Sequence, residues 1–419
     1  MELLNKIFDI QLHAETQVTT QPSLSVEMKT YYHDKLIDNA EPMLVHDQFG
    51  SKYPIPRGKG KTIEFRRYAP LKKALNPLTE GVTPKGNALS VSNIVATVAQ
   101  YGDYIEISDL LDLTAIDRNL DEATILLGAQ AGRTLDTITR EILAGGTSKL
   151  FQPAVAGGNE TPVLMRSDVK AATCTLTPKT IKKAVTILKR QNAAPFEDGS
   201  YVMIVHPDVA GDLMGDPNWI DIHKYKNPEN IYNGEIGKLY GVRFVETTEA
   251  KIIGPGVISG EFERLTVKTQ ASSGATSIVV NEEVEMPEGV SSISVYINGK
   301  ANTITNIVKG NGQSTLTVST TDGAVPAGSI VCGAQAGSDG SAIYCSLLIA
   351  RNAYGVTSLE GGGLEHFIKQ LGSAGSADPL NQRATTGWKA TKTAEILVQE
   401  YMLRIEHSSA EFGMTATSN

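Results

Sequence analysis

The sequence predicts an α+β protein of two or three domains: a long helix, a central sheet and a separate all-β segment. Three observations carry this. Apolar residues between Ile116 and Ile142 recur at three- and four-residue steps without a miss, the period of an amphipathic helix. Helix and strand patterns then mix over residues 177–245, as they do around a central sheet. Over residues 262–340 charge is sparse, Ser, Thr, Val and Gly dominate, and the helical period disappears.

In chain order, residues 1–22 read as a mobile arm and 23–39 as a short helix, with Met28, Tyr32 and Leu36 at helical spacing. Residues 61–68 read as a strand in which Ile63 and Phe65 share a face, and 94–107 as a second, returning strand. Between them, residues 69–93 carry prolines at 70, 77 and 84 and glycines at 81 and 86. That excursion has too little apolar surface to fold alone and too many breakers for a helix. Loops of this length are usually functional. An arm that cannot bury itself on its own subunit is expected to lie on another.

The long helix is expected over 116–144, a rod of roughly 40 Å. Ile116, Leu120, Ala123, Leu127, Ala131, Leu135, Ile138 and Ile142 form its apolar face. Thr114 and Asp117 resemble a capping box, and Gly145-Gly146 gives the stop. Gly128 and Gly132 inside it fit either close backbone packing or simple tolerance. Residues 147–175 look like loop. Thr177-Pro178 opens a second helix that buries Ile181, Ala184, Val185 and Leu188 and ends in Lys189-Arg190. Tyr201-Val-Met-Ile-Val205 reads as a strand covered on both faces, followed by a short helix from Pro207.

Within 262–340, strands are expected at 265–269, 277–280, 292–297, 301–307, 315–319 and 329–331, with Asn298-Gly299 as a hairpin turn. A small sandwich or barrel follows, inserted between strands at 242–246 and 342–349. At the C-terminal end, Tyr401, Leu403 and Ile405 alternate with Met402, Arg404 and Glu406, as on a sheet with one wet face.

Composition excludes several classes of function. No apolar run approaches a membrane span, and the acidic start is not a secretory signal. Three scattered cysteines make neither a disulfide framework nor a zinc site, which fits a reducing cytoplasm. A net charge of −8 argues against a general nucleic-acid-binding surface, though not against a protein that encloses nucleic acid. Gly58-Lys-Gly-Lys-Thr62 imitates a phosphate loop, but Ile55 stands where its first glycine belongs and a strand follows. His206-Pro-Asp208 is expected to cap a strand-to-helix junction, Cys174 to be a small buried side chain, and Gly361–Gly363 to be a turn. No catalytic, cofactor or metal residues are assigned, and no enzyme activity is expected.

Charge placement is more informative. Eight basic residues (Lys52, Arg57, Lys59, Lys61, Arg66, Arg67, Lys72 and Lys73) stand against Glu64 alone. Seven acids (Asp103, Glu106, Asp109, Asp112, Asp117, Asp121 and Glu122) stand against Arg118 alone. The expectation is that the basic limb of one subunit lies over the acidic helix start of the next, each pair contributing about 0–1 kcal/mol. Repeated around a symmetric assembly, such pairs set register.

Long words of sequence in order carry a resemblance. Asp47-Gln-Phe-Gly50, Gly60-Lys-Thr-Ile-Glu-Phe65, Pro77-Leu-Thr-Glu-Gly-Val-Thr-Pro84 and Gln100-Tyr-Gly-Asp-Tyr-Ile-Glu-Ile107 are among them. So are His206-Pro-Asp208, Gly241-Val-Arg-Phe244, Gly363-Leu-Glu-His366, Leu371-Gly-Ser-Ala374, Asp378-Pro-Leu-Asn-Gln-Arg383 and Gly387-Trp-Lys389. Over residues 25–260 and 340–407 the chain resembles the tailed-bacteriophage major capsid proteins, in the family of the N4-type phage shell protein.

The resemblance implies the tailed-phage shell fold with an inserted all-β domain. It divides the chain into an N-terminal arm and short helix (1–50), an extended loop (51–100) and a peripheral domain with the spine helix (101–174). The axial domain follows in two parts (175–261 and 341–386) around the insert (262–340), and 387–419 returns to the peripheral sheet as C-terminal strands and tail. It implies self-assembly in hexamers and pentamers into an icosahedral shell enclosing double-stranded DNA without sequence-specific contact. The implied partners are a separate scaffolding protein, because the arm is short, together with a portal and decoration proteins. Assembly is expected in the host cytoplasm, without a membrane. The alternative is the shell of a bacterial nanocompartment (encapsulin-like), which shares the fold and stores enzymes.

Overall fold

The computed structural model describes residues 44–68, 71, 73, 75, 77, 80–81, 86, 88–109, 119–216, 219, 238–360, 362–369, 380 and 382–419. The helix expected at 23–39 and the cap of Thr114 and Asp117 lie outside them. Strand β1 (Thr62–Tyr68) pairs antiparallel with β2 (Val91–Thr97), Thr62 opposite Thr97 and Tyr68 opposite Val91. The return strand expected over 94–107 is two strands. Val98 turns inward, its N–H donating to Lys61 O at 2.9 Å, and the chain continues as β3 (Ala99–Ser108) in a different sheet.

Helix α1 (Asn119–Ala144) lays Leu127, Ala131 and Leu135 against Trp388 and Ala390 of that sheet. It stops at the glycine pair, where Gly145 N–H donates to Glu141 O at 2.9 Å and Gly146 N–H to Leu143 O at 3.1 Å. Residues 147–175 are more regular than expected. They hold β4 (Lys149–Phe151), parallel to residues 404–406, and a small hairpin of Ala154–Ala156 with Asn159–Thr161.

Helix α2 (Pro178–Arg190) is capped by Thr177, whose hydroxyl accepts the Thr180 N–H at 3.4 Å, and buries Ile181, Ala184, Val185 and Leu188. Strand β5 (Tyr201–Val205) is buried throughout, α3 (Pro207–Gly215) follows it, and β6 (Val242–Glu246) lies parallel to β5.

Six strands then form a sheet of their own: β7 (Arg264–Thr266), β8 (Ser277–Val280), β9 (Ile293–Ile297), β10 (Lys300–Gly310), β11 (Gln313–Val318) and β12 (Ile330–Gly333). They are antiparallel neighbours in the order β7-β12-β9-β10-β11-β8. A bridge between Val267 and Val280 joins the two ends, so the sheet closes as a barrel around Leu265, Ile278, Val295, Ile304, Leu316 and Val331. Closure removes the free edges that an open sheet this small would expose. Asn298 and Gly299 both take positive φ (49° and 78°), the two-residue turn that matches strand twist between β9 and β10.

The rest of the chain alternates between two sheets. β13 (Ile343–Ile349) sits in a seven-stranded central sheet; β14 (Tyr354–Thr357), β15 (Glu365–Lys369) and β16 (Arg383–Ile396) form a five-stranded one with β3 and Ser51–Lys52. β17 (Met402–His407) then returns to the central sheet, between β4 and β13. Residues 341–386 and 387–419 thus each contribute strands to both sheets. The cause lies in burial: β13 and β17 are buried along their whole lengths, and the central sheet is covered by α2 and α3 on one side and by Leu143 of α1 on the other.

The wet face expected on 401–406 is also absent. Arg404 and Glu406 are buried because they satisfy each other. Arg404 Nε donates to Glu406 Oε1 at 2.9 Å, Arg166 Nε donates to Oε2 at 2.7 Å, and Arg404 Nη1 donates to Gly146 O at 3.1 Å. A buried charge pair is tolerated when its remaining hydrogen-bonding groups are met in this way.

Candidate assembly surface

The β1/β2 ribbon has two unlike faces. Ile63, Phe65 and Arg67 fall on one face with Ile94 and Ala96, and this face stands on the subunit's own body. The Phe65 ring meets Tyr53 edge-on at 5.1 Å, and Arg67 Nη2 reaches Glu400 Oε2 at 3.0 Å. The opposite face presents Glu64, Arg66, Asn93 and Val95, with Val95 59% exposed. Leu71, Leu75 and Leu89 beyond the ribbon are also exposed.

The two charge blocks divide in the same manner. Arg67 is engaged at Glu400, and the Arg57 N–H donates to Glu360 Oε2 at 3.4 Å. Lys59, Lys61, Arg66 and Lys73 are exposed. Of the acids, Asp103 accepts from Gln130 Nε2 at 2.6 Å and from the Tyr104 N–H at 2.8 Å, and these two bonds hold its carboxyl below the usual range. Glu106 meets Arg383 Nη1 at 3.1 Å, the Asp109 N–H donates to Gln382 O at 2.9 Å, and Glu122 is exposed on α1. Lys72, Asp112 and Asp117 lie outside the described residues, as does the side chain of Asp121.

Sequence reasoning missed the anchor that ties residues 46–50, ahead of the ribbon, to α1 and the five-stranded sheet. His46 Nδ1 lies 2.6 Å from Asp136 Oδ2, and the His46 N–H donates to Asp136 Oδ1 at 2.7 Å. Asp47 accepts from Thr139 Oγ1 at 2.6 Å and from Lys392, whose ammonium also donates to Leu135 O at 2.7 Å. Burial pushes the Lys392 pKa down, and Asp47 works against that shift. Tyr354 donates to His46 O from the neighbouring sheet. Gly50 completes the word, since a Cβ there would fall 2.6 Å from Val356 Cγ2 and 2.7 Å from the Tyr354 ring. The signal was present in α1, where Asp136 and Thr139, both fully buried, interrupt an apolar face.

A second surface lies on the five-stranded sheet, on the side away from α1. Tyr104, Gly387 and Phe367 sit abreast on β3, β16 and β15, and with Lys369, Arg383 and Lys389 they line an open groove of about 700 Å³. Tyr104 is 66% exposed and Phe367 46%, with Lys389 Nζ 5.0 Å from the Phe367 ring centre. Contiguous exposed aromatic surface marks a contact site more often than chance.

The other motifs take ordinary roles. His206 caps α3, its Nδ1 accepting the Asp208 N–H at 3.3 Å. Gly58 and Gly60 (φ 80° and 89°) shape a turn that leads into strand β1. Cys174 is fully buried.

Residues 92–290 match the model of a phage capsid protein family, a span that begins at β2 and runs past residue 260 into the barrel. No curated protein sequence matches the chain. Among solved structures, the capsid of the cyanophage P-SCSP1u is similar at 11% identity over 86% of this chain and 87% of that one, with a TM-score of 0.51. The mature capsid of bacteriophage PhiM1 is similar at 14% identity over 85% and 86%, with a TM-score of 0.48. The cyanophage Pam1 capsid is similar at 14% identity over 85% and 87%, also at 0.48. The fold is therefore the capsid shell fold, an assignment that rests on the first of these.

Proposed function

We infer that the chain is a structural major capsid protein of a tailed bacteriophage, many copies of which assemble into a closed shell. The observation that carries this is the capsid-family match over 92–290, which takes in the spine helix α1 and the helices and strands around β5. It also separates this reading from the nanocompartment alternative. The fold is common to both, but the matching family is one of phage capsid proteins.

The finer points are ours. Copies meet through the outward face of the ribbon, whose Arg66, with the exposed Lys59 and Lys61 just before the strand, suits the acidic stretch from Asp103 to Glu122 of a neighbour, and through the aromatic groove. The shell encloses double-stranded DNA, forms in the host cytoplasm on a separate scaffolding protein, and joins a portal. The barrel of β7–β12 is an added surface module of a subunit divided into arm, loop, peripheral and axial parts. The subunit performs no catalysis; turnover lost in His206→Ala with assembly intact would argue otherwise.

Electron microscopy of the purified protein, expressed alone and with its scaffolding protein, tests the reading. Closed shells of uniform curvature are expected. Only dispersed subunits in both preparations would refute it.

A further inference from the structure

Helix α2 carries an unexplained charge. Its exposed side bears Lys179, Lys182, Lys183, Lys189 and Arg190, and the helix contains no acidic residue, in a chain whose net charge is −8. Lys189 and Arg190 suit the negative C-terminal end of the helix dipole. The other three do not: they crowd the first half of the helix, where the dipole is positive and cations cost stability. Among the described residues one acid answers them from outside, Glu160, which pairs with Lys179 at 2.8 Å. The acids of α3, on the same side of the central sheet, are occupied elsewhere: Asp208 accepts from Tyr344, and Asp212 accepts the Ala410 N–H at 3.0 Å.

We propose that the basic face of α2 binds the phosphate backbone of duplex DNA without reading its sequence, and so faces the shell interior. The proposal rests on the capsid reading for the presence of DNA. Its partner is chosen by chemistry. The exposed stripe itself offers lysines, one arginine and Thr186, and the one aromatic noted beside it, Tyr240, already lies under the Lys182 ammonium at 5.9 Å from the ring centre. Protein interfaces are depleted in lysine and depend on buried aromatic or arginine anchors. Non-specific DNA binding needs only cations along the backbone, each neutralising a phosphate and releasing a counterion. An acidic protein segment is therefore the weaker candidate.

The test replaces Lys182, Lys183 and Lys189 together with Gln, which keeps helix propensity. A control replaces Lys268, Lys300 and Lys309 of the barrel with Gln, the same change in charge. Dissociated subunits are run on a duplex-DNA resin at increasing salt. The α2 variant should show a salt slope shallower by about 2.7, from about 0.9 per lost phosphate contact. The control should match the unaltered chain. Equal slopes for all three proteins would overturn the proposal, as would retention on a polyglutamate resin but not on DNA.

A second readout uses a bulky amine-reactive label on closed shells. Lys182 and Lys183 should be protected in the shell and labelled in dissociated subunits; labelling in the intact shell would place the face outside and overturn the proposal. If micrographs show no shells, the capsid reading itself fails. Shells with unchanged slopes sink only this inference.

Discussion

Arg67 Nη2 lies 3.0 Å from Glu400 Oε2, so the ribbon that was expected to reach a neighbour is braced on its own subunit by one of its arginines. Arg66, one residue earlier, points to the opposite face of the ribbon and is exposed. Adjacent residues of like charge thus take different tasks, as the two-residue period of a strand requires.

The first prediction separates them. Arg67→Glu should lower subunit stability by about 0–1 kcal/mol, the range for an exposed pair, and Glu400→Arg in the same chain should restore it. Arg66→Glu should leave thermal unfolding of the subunit unchanged and impair shell formation. Normal particles from Arg66→Glu would remove the charge-contact idea.

The anchor gives the largest expected effect. Asp47→Ala leaves the Lys392 ammonium buried without its carboxylate, which should cost about 3–5 kcal/mol in denaturant unfolding. Adding Lys392→Met should recover much of that loss by removing the stranded charge. Equal instability of the single and double variants would show that the ion pair is not the source.

Burial pushes the His407 imidazole down to about 4, against a smaller upward pull from the Ser408 carbonyl. The unfolded chain binds the proton near the ordinary histidine value, so it is favoured as the pH falls. The contribution of His407 is complete above about pH 6.5 and is lost between there and about pH 4, on the order of 3 kcal/mol. His407→Gln keeps a polar partner for Ser346, now 2.8 Å from Nε2, and removes the titration. Urea midpoints should fall less steeply with acid in the variant. Identical pH profiles would contradict the assignment.

In the barrel, Gly299 holds φ 78° in the β9–β10 turn, where a Cβ costs about 1–2 kcal/mol. Gly299→Ala should make residues 262–340 more sensitive to limited proteolysis and leave the central sheet intact. Equal cleavage rates would mean that the turn tolerates the strain.

Much of this fold was legible wherever a single period dominates. The spine helix, the capped α2, the buried β5 and the six strands of the barrel all follow from local spacing and turn residues. What escaped was long-range pairing. Nothing in the alternation at 401–406 announces that Glu406 meets Arg166, more than two hundred residues away, as well as Arg404, and so both go inside. Likewise β13 to β17 cross twice between sheets, a choice made by which face each strand can cover. Of the candidate assembly surface, the charged limb was visible in sequence. The aromatic groove was not, because Tyr104, Phe367 and Gly387 become neighbours only through strand register.

The barrel has one further consequence. Its first and last strands, β7 and β12, are paired, with Arg264 opposite Cys332, so the chain leaves the host sheet and rejoins it through adjacent doorways. A module joined in that way can be exchanged as a cassette, removed or substituted without stretching the scaffold beneath it. The tight turn between β10 and β11, at Asn311 and Gly312, is accordingly the natural point at which to graft a foreign peptide for multivalent display.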